Sequence, residues 1–198
     1  MISINIKCET LMNKVNGKKT SFAPIREDGS RITICYGLKK LSGKLYEWLE
    51  VYLPKKQMSQ LTLADVKETI IGDINARTTE RIISGFDYTV KHGGQAGTAV
   101  KVWLSKENQS DFHAMHQQGD DLTFPLRYKI GELEDGTPVY EEFADASEMH
   151  AICVATTNHV LACQQAGWAE KDAIDWAPYE ALFQQGGDAG ENNGGGIE

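Results

Sequence analysis

The sequence predicts an α+β protein: an N-terminal small antiparallel β domain, followed by a domain of two hairpin-helix units with flanking helices. Three observations indicate this class. Residues 1–53 alternate apolar and polar positions between turn residues, as strands do. Apolar residues recur at helical spacing from residue 63 onward. A hairpin-like segment followed by a helical segment then occurs twice, at 82–118 and at 122–167.

The small β domain, residues 1–53, is predicted to contain four strands in a meander or small barrel. The strand segments are ISINIKC, TSFAPIR, RITICYGL and KLYEWLEVYLP. Asp28 and Gly29 form a favourable hairpin turn, and Pro54 ends the last strand. Residues 54–60 are predicted to be a polar linker.

An aromatic stripe is the candidate partner-binding surface of this domain. Tyr46, Trp48 and Tyr52 fall on one face of the last strand, because side chains alternate along a strand. An exposed stripe of this kind suits a protein partner or a sugar ring. The alternative is that the stripe packs against the next domain or sheet.

The larger domain, residues 61–183, contains several helix signals. Thr62 and Asp65 resemble a capping box, and Ser105 is the predicted N-cap of a second helix. Either Asp145 or Ser147 caps a third helix, which Gly167 is expected to stop. A short helix follows, and the Gly/Asn-rich residues 184–198 are expected to be disordered.

The charge of the chain is unevenly distributed. Residues 1–60 hold 11 Lys+Arg against 5 Asp+Glu, and the remaining residues hold 9 against 23. The acidic larger part argues against general nucleic-acid binding, which needs a concentrated basic face. A membrane span is not expected, because nothing approaches a run of about 18 apolar residues. The N-terminus resembles no signal peptide, so we expect an intracellular product with reduced cysteines.

The sequence contains few catalytic or metal-binding patterns. The Gly-rich loop at 92–97 lacks the ending of a P-loop and joins two strands, so we expect a flexible hairpin tip. His113 and His116 lie three residues apart on a predicted helix and are weak metal candidates, because a zinc site needs a third ligand. A solvated helix face is the alternative. No cofactor is expected.

Four segments together carry a family resemblance. INARTTERIISGF, VWLSKENQSDF, FPLRYKIGELEDGTPVYEEF and AGWAEKDAIDW, in this order and spacing, resemble the uncharacterised domain of unknown function 4376. The resemblance spans about residues 61–180. That domain is met in bacteriophage and prophage tail-fibre regions, including those of gut Bacteroides-type bacteria. It implies no catalytic residue.

The resemblance implies a non-enzymatic structural or accessory protein of a phage tail, fibre or baseplate assembly. Such a protein would be made in the host bacterial cytoplasm and located in the virion, with other phage structural proteins as its partners. A fibre assembly factor absent from the mature particle is one alternative, and a module that binds a host-surface glycan is another. Homo-oligomerisation is compatible with each of these roles.

Overall fold

The computed structural model describes residues 13–29, 31–54 and 58–184. These residues form a mixed α and β structure that divides into two compact units. The first unit comprises the described residues up to Ile74 together with those from Glu170 to Gln184, and the second comprises Asn75–Ala169. The predicted strand ISINIKC and the predicted disordered tail after residue 184 lie outside the described residues.

The first unit contains a four-stranded antiparallel sheet. Its strands are β1 (Asn13–Lys18), β2 (Ile25–Asp28), β3 (Arg31–Ser42) and β4 (Leu45–Pro54). The strand order is β1-β4-β3-β2, so β2, β3 and β4 form a meander and β1 lies beside β4. Gly29 in the β2–β3 turn has a φ of +62°, which agrees with the turn predicted there.

Two helices supply the rest of the first unit's core. They are α4 (Ala177–Gln184) and the N-terminal half of α1 (Leu63–Ser84). The core cluster comprises Ile32, Ile34, Tyr36, Leu61, Val66, Ile70, Ile74 and Tyr179. The division into units therefore differs from the predicted domains 1–53 and 61–183, because the apolar face of α1 packs against β3. The capping box at α1 is confirmed: Asp65 Oδ2 accepts a hydrogen bond from the Thr62 amide at 2.8 Å.

The second unit contains two hairpins with helices after them. Its elements are β5 (Phe86–Thr89), β6 (Ala99–Val102), α2 (Lys106–Gln118), β7 (Leu126–Glu132), β8 (Pro138–Phe143) and α3 (Ala146–Asp172), the last of which extends beyond the unit. The β5–β6 and β7–β8 pairs are both antiparallel. Strand β5 starts later than predicted, because α1 continues to Ser84 and ends at Gly85.

Helix caps in this unit follow the sequence signals with one exception. Ser105 Oγ accepts from the Asn108 amide at 3.2 Å, and Asp145, not Ser147, accepts from the Glu148 amide. The prediction that Gly167 stops the third helix is wrong, because α3 continues to Asp172. Gly167 has a packing role: a Cβ atom there would lie 2.4 Å from Thr78 Oγ1.

The core of the second unit forms between the hairpins and helices α2 and α3. Its buried members are Val90, Val100, Val102, Leu104, Phe112, Met115, Ile130, Val139, Phe143, Met149, Ile152 and Cys153. Within residues 13–29, 31–54 and 58–184, none of the helices combines the length and the apolar character that crossing a bilayer requires.

Candidate functional site

A groove of about 700 Å³ opens on the surface of the second unit. It lies where the end of β6, the start of α2 and strand β7 meet. The residues that line it are Ser84, Lys101, Trp103, Ser105, Asn108, Tyr128, Lys129, Ile130, Gly131 and Glu132. Its volume is within the range of about 300–1,000 Å³ that is typical of ligand sites.

Trp103 is the largest exposed side chain of the groove. The backbone is extended at the end of β6, so Val102 and Leu104 point into the core with no exposed surface. Trp103 points the opposite way and is 55% exposed. The indole is therefore an accessible aromatic surface beside the groove.

The backbone around Trp103 is held by hydrogen bonds on both sides. Asn108 Nδ2 donates to the Trp103 carbonyl at 2.7 Å, and Gln109 Nε2 donates to the Leu104 carbonyl at 2.8 Å. The Leu104 amide donates to the Ile83 carbonyl at 3.0 Å. Trp103 is therefore presented by a fixed backbone, which lowers the entropy lost when it binds a partner.

Gly131 lets β7 pass close to β6 and forms the floor of the groove. A Cβ atom at this position would lie 2.6 Å from the Lys101 carbonyl oxygen and from Val100 Cγ2. The pairing of β7 with β8 shifts register between Lys129 and Gly131. The absent side chain and the local bulge together bring the two hairpins into contact along one wall of the groove.

The charged groups of the groove have partners nearby. Lys101 Nζ lies 2.9 Å from Asp87 Oδ1, and Lys129 pairs with Glu132 three residues further along the chain. Both pairs are solvent-exposed, so each contributes little to stability and can exchange its partner. The groove therefore offers both signs of charge beside an aromatic surface.

Tyr128 forms part of the groove wall and is held at its hydroxyl. The phenol donates to Asp111 Oδ2 at 3.0 Å, and its ring lies 5.5 Å from the Phe112 ring. Burial, with a smaller effect of the Asp111 carboxylate, raises the pKa of Tyr128 above its ordinary value. Tyr128 is therefore a neutral phenol throughout the physiological pH range.

The tryptophan of the β4 aromatic stripe, Trp48, is buried. Trp48 is only 2% exposed, its ring meets Phe22 edge-on at 6.0 Å, and its Nε1 donates to Glu50 Oε1 at 3.0 Å. Trp48 is therefore packed, not exposed, and partner binding by the stripe stays a prediction. Tyr46 and Tyr52 are half-buried, and Tyr52 lies under the Arg31 guanidinium at 4.5 Å.

Glu50 lies on the same face of β4 as Trp48 and is also buried. The Glu50 side chain is 7% exposed and accepts hydrogen bonds from Arg26, at 2.8 Å, and from Trp48. A buried carboxylate needs such partners, because an unpaired charge is costly to desolvate. Cys35 Sγ lies 3.8 Å away, and burial raises its pKa to about 11.

The two predicted metal candidates do not come together with a third ligand. His113 is exposed, and the ring of His116 meets the His150 ring edge-on with centroids 4.8 Å apart. No group of three or more His, Cys, Asp or Glu residues arranged for a metal ion occurs in the described part of the chain. His116 thus has a ring contact with a histidine of α3, which spacing along α2 could not indicate.

The Gly-rich loop between β5 and β6 is more constrained than a flexible tip. Glu141 is fully buried, and its carboxylate accepts from Tyr88 Oη at 2.8 Å and from the amides of Lys91 and His92 at 2.7 and 2.8 Å. Gln95 hydrogen-bonds to the backbone of β8 through both of its side-chain polar atoms. These bonds hold the start and the middle of the loop against β8.

The exposure of Trp103 was not among the sequence predictions. The signal was present in the alternation of Val102, Trp103 and Leu104, because two buried flanking residues place the indole on the outer face. The groove itself had no sequence signal. Its walls come from segments about 25 residues apart, and their contact depends on Gly131.

Comparison with known proteins places the groove inside a recognised domain. A family model described as "Domain of unknown function (DUF4376)" matches residues 65–188, which are 124 of the 198 residues. No curated protein and no solved structure matches the chain. The matched segment includes the whole second unit with Trp103. Because the match covers more than half of the sequence, the chain belongs to the DUF4376 family.

Proposed function

We propose that this protein is a non-enzymatic structural or accessory component of a bacteriophage tail, fibre or baseplate assembly and acts through protein–protein contacts. The groove beside Trp103 is the contact site. The partners of the protein are other structural proteins of the phage. The protein is made in the host cytoplasm and incorporated into the virion.

The exposed indole of Trp103 carries this proposal. Tryptophan is enriched among the few interface residues that dominate binding energy. Trp103 adds to this a backbone held by the Asn108 side chain and by the Ile83 carbonyl. A rigid aromatic side chain over a groove of about 700 Å³ suits a projecting side chain or turn of a partner.

The polar residues around Trp103 support a protein partner. Lys101 and Glu132 lie on the groove rim, and Ser84 and Asn108 add hydroxyl and amide groups. A protein segment presents both signs of charge and backbone hydrogen-bonding groups, which this rim can satisfy. The tail-region context rests on the sequence resemblance described above.

Two alternatives use the same groove. A fibre assembly factor would bind fibre chains through it and be absent from the mature particle. A module that binds a host-surface glycan would stack a sugar ring on the Trp103 indole, with Ser105 and Asn108 as hydrogen-bonding groups. The exposed indole beside these polar groups favours this second alternative over a glycan site on β4, where Trp48 is buried.

Purified phage particles test the proposal. The wild-type chain and a Trp103→Ala variant are expressed in a producing strain, and the particles are quantified by mass spectrometry. We expect a fixed number of wild-type copies per particle and at least a tenfold loss for the variant. Leu133→Ala is the matched control, because Leu133 is 37% exposed and does not line the groove.

Each outcome separates the hypotheses. Equal incorporation of the Trp103→Ala variant and the wild type would overturn the groove as the contact site. A wild-type chain found in assembly intermediates but missing from finished particles would identify an assembly factor. Saturable quenching of tryptophan fluorescence by host polysaccharide, lost in the Trp103→Ala variant, would identify the glycan module.

A further inference from the structure

We propose that the solvent-facing side of α3 is a self-association surface that binds the same surface of a second copy of this chain. The surface, called here the α3 stripe, consists of Ala151, Val154, Asn158, Leu161, Gln165 and Trp168. All six residues are exposed. The stripe is separate from the Trp103 groove, so the inference does not depend on the proposed function.

The spacing of the stripe is that of a coiled-coil seam. Its members are separated alternately by three and four residues, which keeps them on one side of a helix over five turns. Val154, Leu161 and Trp168 fall seven residues apart and are 47%, 45% and 55% exposed. A single exposed apolar residue is ordinary on a protein surface, but here three lie on one side of a helix at heptad spacing, with the uncharged Asn158 and Gln165 between them.

The opposite side of α3 is fully used by the second unit. Met149, Ile152 and Cys153 belong to its core, and His159 hydrogen-bonds to the Arg81 carbonyl at 3.1 Å. Gly167 packs against Thr78. Over residues 149–169 the helix is thus uncharged on both sides, whereas a surface helix normally has one charged or strongly polar face. The fold of the unit explains only one of these two sides.

The charge distribution is compatible with a second copy as the occupant of the α3 stripe. Residues 149–169 contain no Asp, Glu, Lys or Arg, although 24% of the chain is charged. The chain carries a net charge of −8, so most faces of two copies repel each other. On the α3 stripe two copies meet without opposing like charges, which a two-fold interface requires because each patch faces itself.

The side-chain sizes favour an antiparallel pair. In that arrangement Trp168 of one copy faces Ala151 of the other, and Leu161 faces Asn158. The largest side chain then meets the smallest one, whereas a parallel pair would place two Trp168 indoles against each other. Ala162 and Ala169 flank the stripe and allow the helices to approach closely.

The area of the stripe predicts a weak dimer. It is about 26 Å long at 1.5 Å per residue and about 10 Å wide, which gives roughly 300 Å² for each copy. Stable interfaces bury about 800 Å² for each partner, so we expect a weak dimer that forms only at high protein concentration. Such an interface strengthens when copies are already held close together in a larger assembly.

Sedimentation velocity of the full chain, from about 10 µM to about 500 µM, tests the proposal. We expect the wild type to shift from monomer to dimer across this range. Leu161→Lys should raise the dissociation constant of the dimer at least tenfold, and Val154→Lys should raise it by a similar factor. Leu182→Lys is the matched control, because Leu182 is 46% exposed on α4 and should leave the shift unchanged. Circular dichroism verifies that each variant is folded.

The orientation has its own readout. Residue 158 of one copy faces residue 161 of the other only in the antiparallel pair, so a mixture of Asn158→Glu and Leu161→Lys should form a mixed dimer. A mixture that stays monomeric would overturn the antiparallel arrangement. A wild type that stays monomeric up to about 500 µM, or a dimer that the lysine variants leave intact, would overturn the self-association surface. Particle incorporation, tested through Trp103, is measured independently of these results.

Discussion

Gly85 lies directly against the main-chain carbonyl of Val102: a Cβ atom at position 85 would be 1.7 Å from the carbonyl oxygen. Gly85 also has a φ of +67°, a conformation that other residues rarely adopt. This contact places the end of α1 beside the end of β6 and so helps to position Trp103. The groove therefore depends on a residue that has no side chain.

Replacing Gly85 with alanine should destabilise the fold. The added methyl group cannot fit without moving the backbone at Val102, so we expect the free energy of unfolding to fall by about 3 kcal/mol. Urea denaturation measures this. Gly72→Ala is the control, because Gly72 lies inside α1 with open space around it and should gain about 0.5–1 kcal/mol. Similar effects of the two variants would contradict the role of Gly85.

Replacing Glu141 with glutamine should loosen the β5–β6 loop. The amide NH₂ group would face backbone N–H donors in place of a carboxylate oxygen, which leaves buried donors unpaired and costs about 2–3 kcal/mol. Hydrogen exchange should accelerate at the amides of Lys91 and His92, which donate to Glu141. Glu134→Gln, at an exposed position, should change neither property. Unchanged exchange at both amides would show that the carboxylate does not hold the loop.

Replacing Trp48 with alanine should destabilise the first unit. The indole is buried and donates to Glu50, so its loss creates a cavity and removes a partner from a buried carboxylate. We expect a cost of about 3–5 kcal/mol. Tyr46→Ala, at a half-buried position of the same strand, should cost about 1 kcal/mol. Chemical denaturation distinguishes the two, and a Trp48→Ala variant as stable as the wild type would restore the stripe as a surface feature.

The buried thiols should make the fold less stable in alkali. Burial raises the pKa of Cys35 and of Cys153 to about 11 from the usual 9.0. Because the folded-state pKa is raised, each contribution is fully present below about pH 9 and is lost as the pH rises toward 11, by about 1 kcal/mol per thiol at pH 10. Urea midpoints at pH 8 and pH 10 measure this. In the Cys153→Ala variant, the loss of unfolding free energy between pH 8 and pH 10 should be smaller by the contribution of one thiol. An unchanged loss would show that the Cys153 thiol does not cause part of it.

Local signals predicted much of the secondary structure. The capping box of Thr62 and Asp65, the N-cap Ser105 and the turn at Gly29 are all where the sequence indicates, because each depends on residues within one turn of the chain. The prediction that Gly167 ends the third helix was wrong. Glycine at a helix end and glycine at a close helix contact look the same in sequence, and only the proximity of Thr78 distinguishes them.

The amino-acid sequence by itself determined the mixed α and β class, the helices and later hairpins in their order, most caps and turns, and the family. Tertiary structure decided which aromatic residue is exposed: Trp48 became buried against Phe22 and Glu50, while Trp103 stayed in solvent beside β7. It also decided which face of α3 was left uncovered. The physical reason is that burial depends on what lies across from a side chain, and its partners come from segments tens of residues away that the local pattern does not specify.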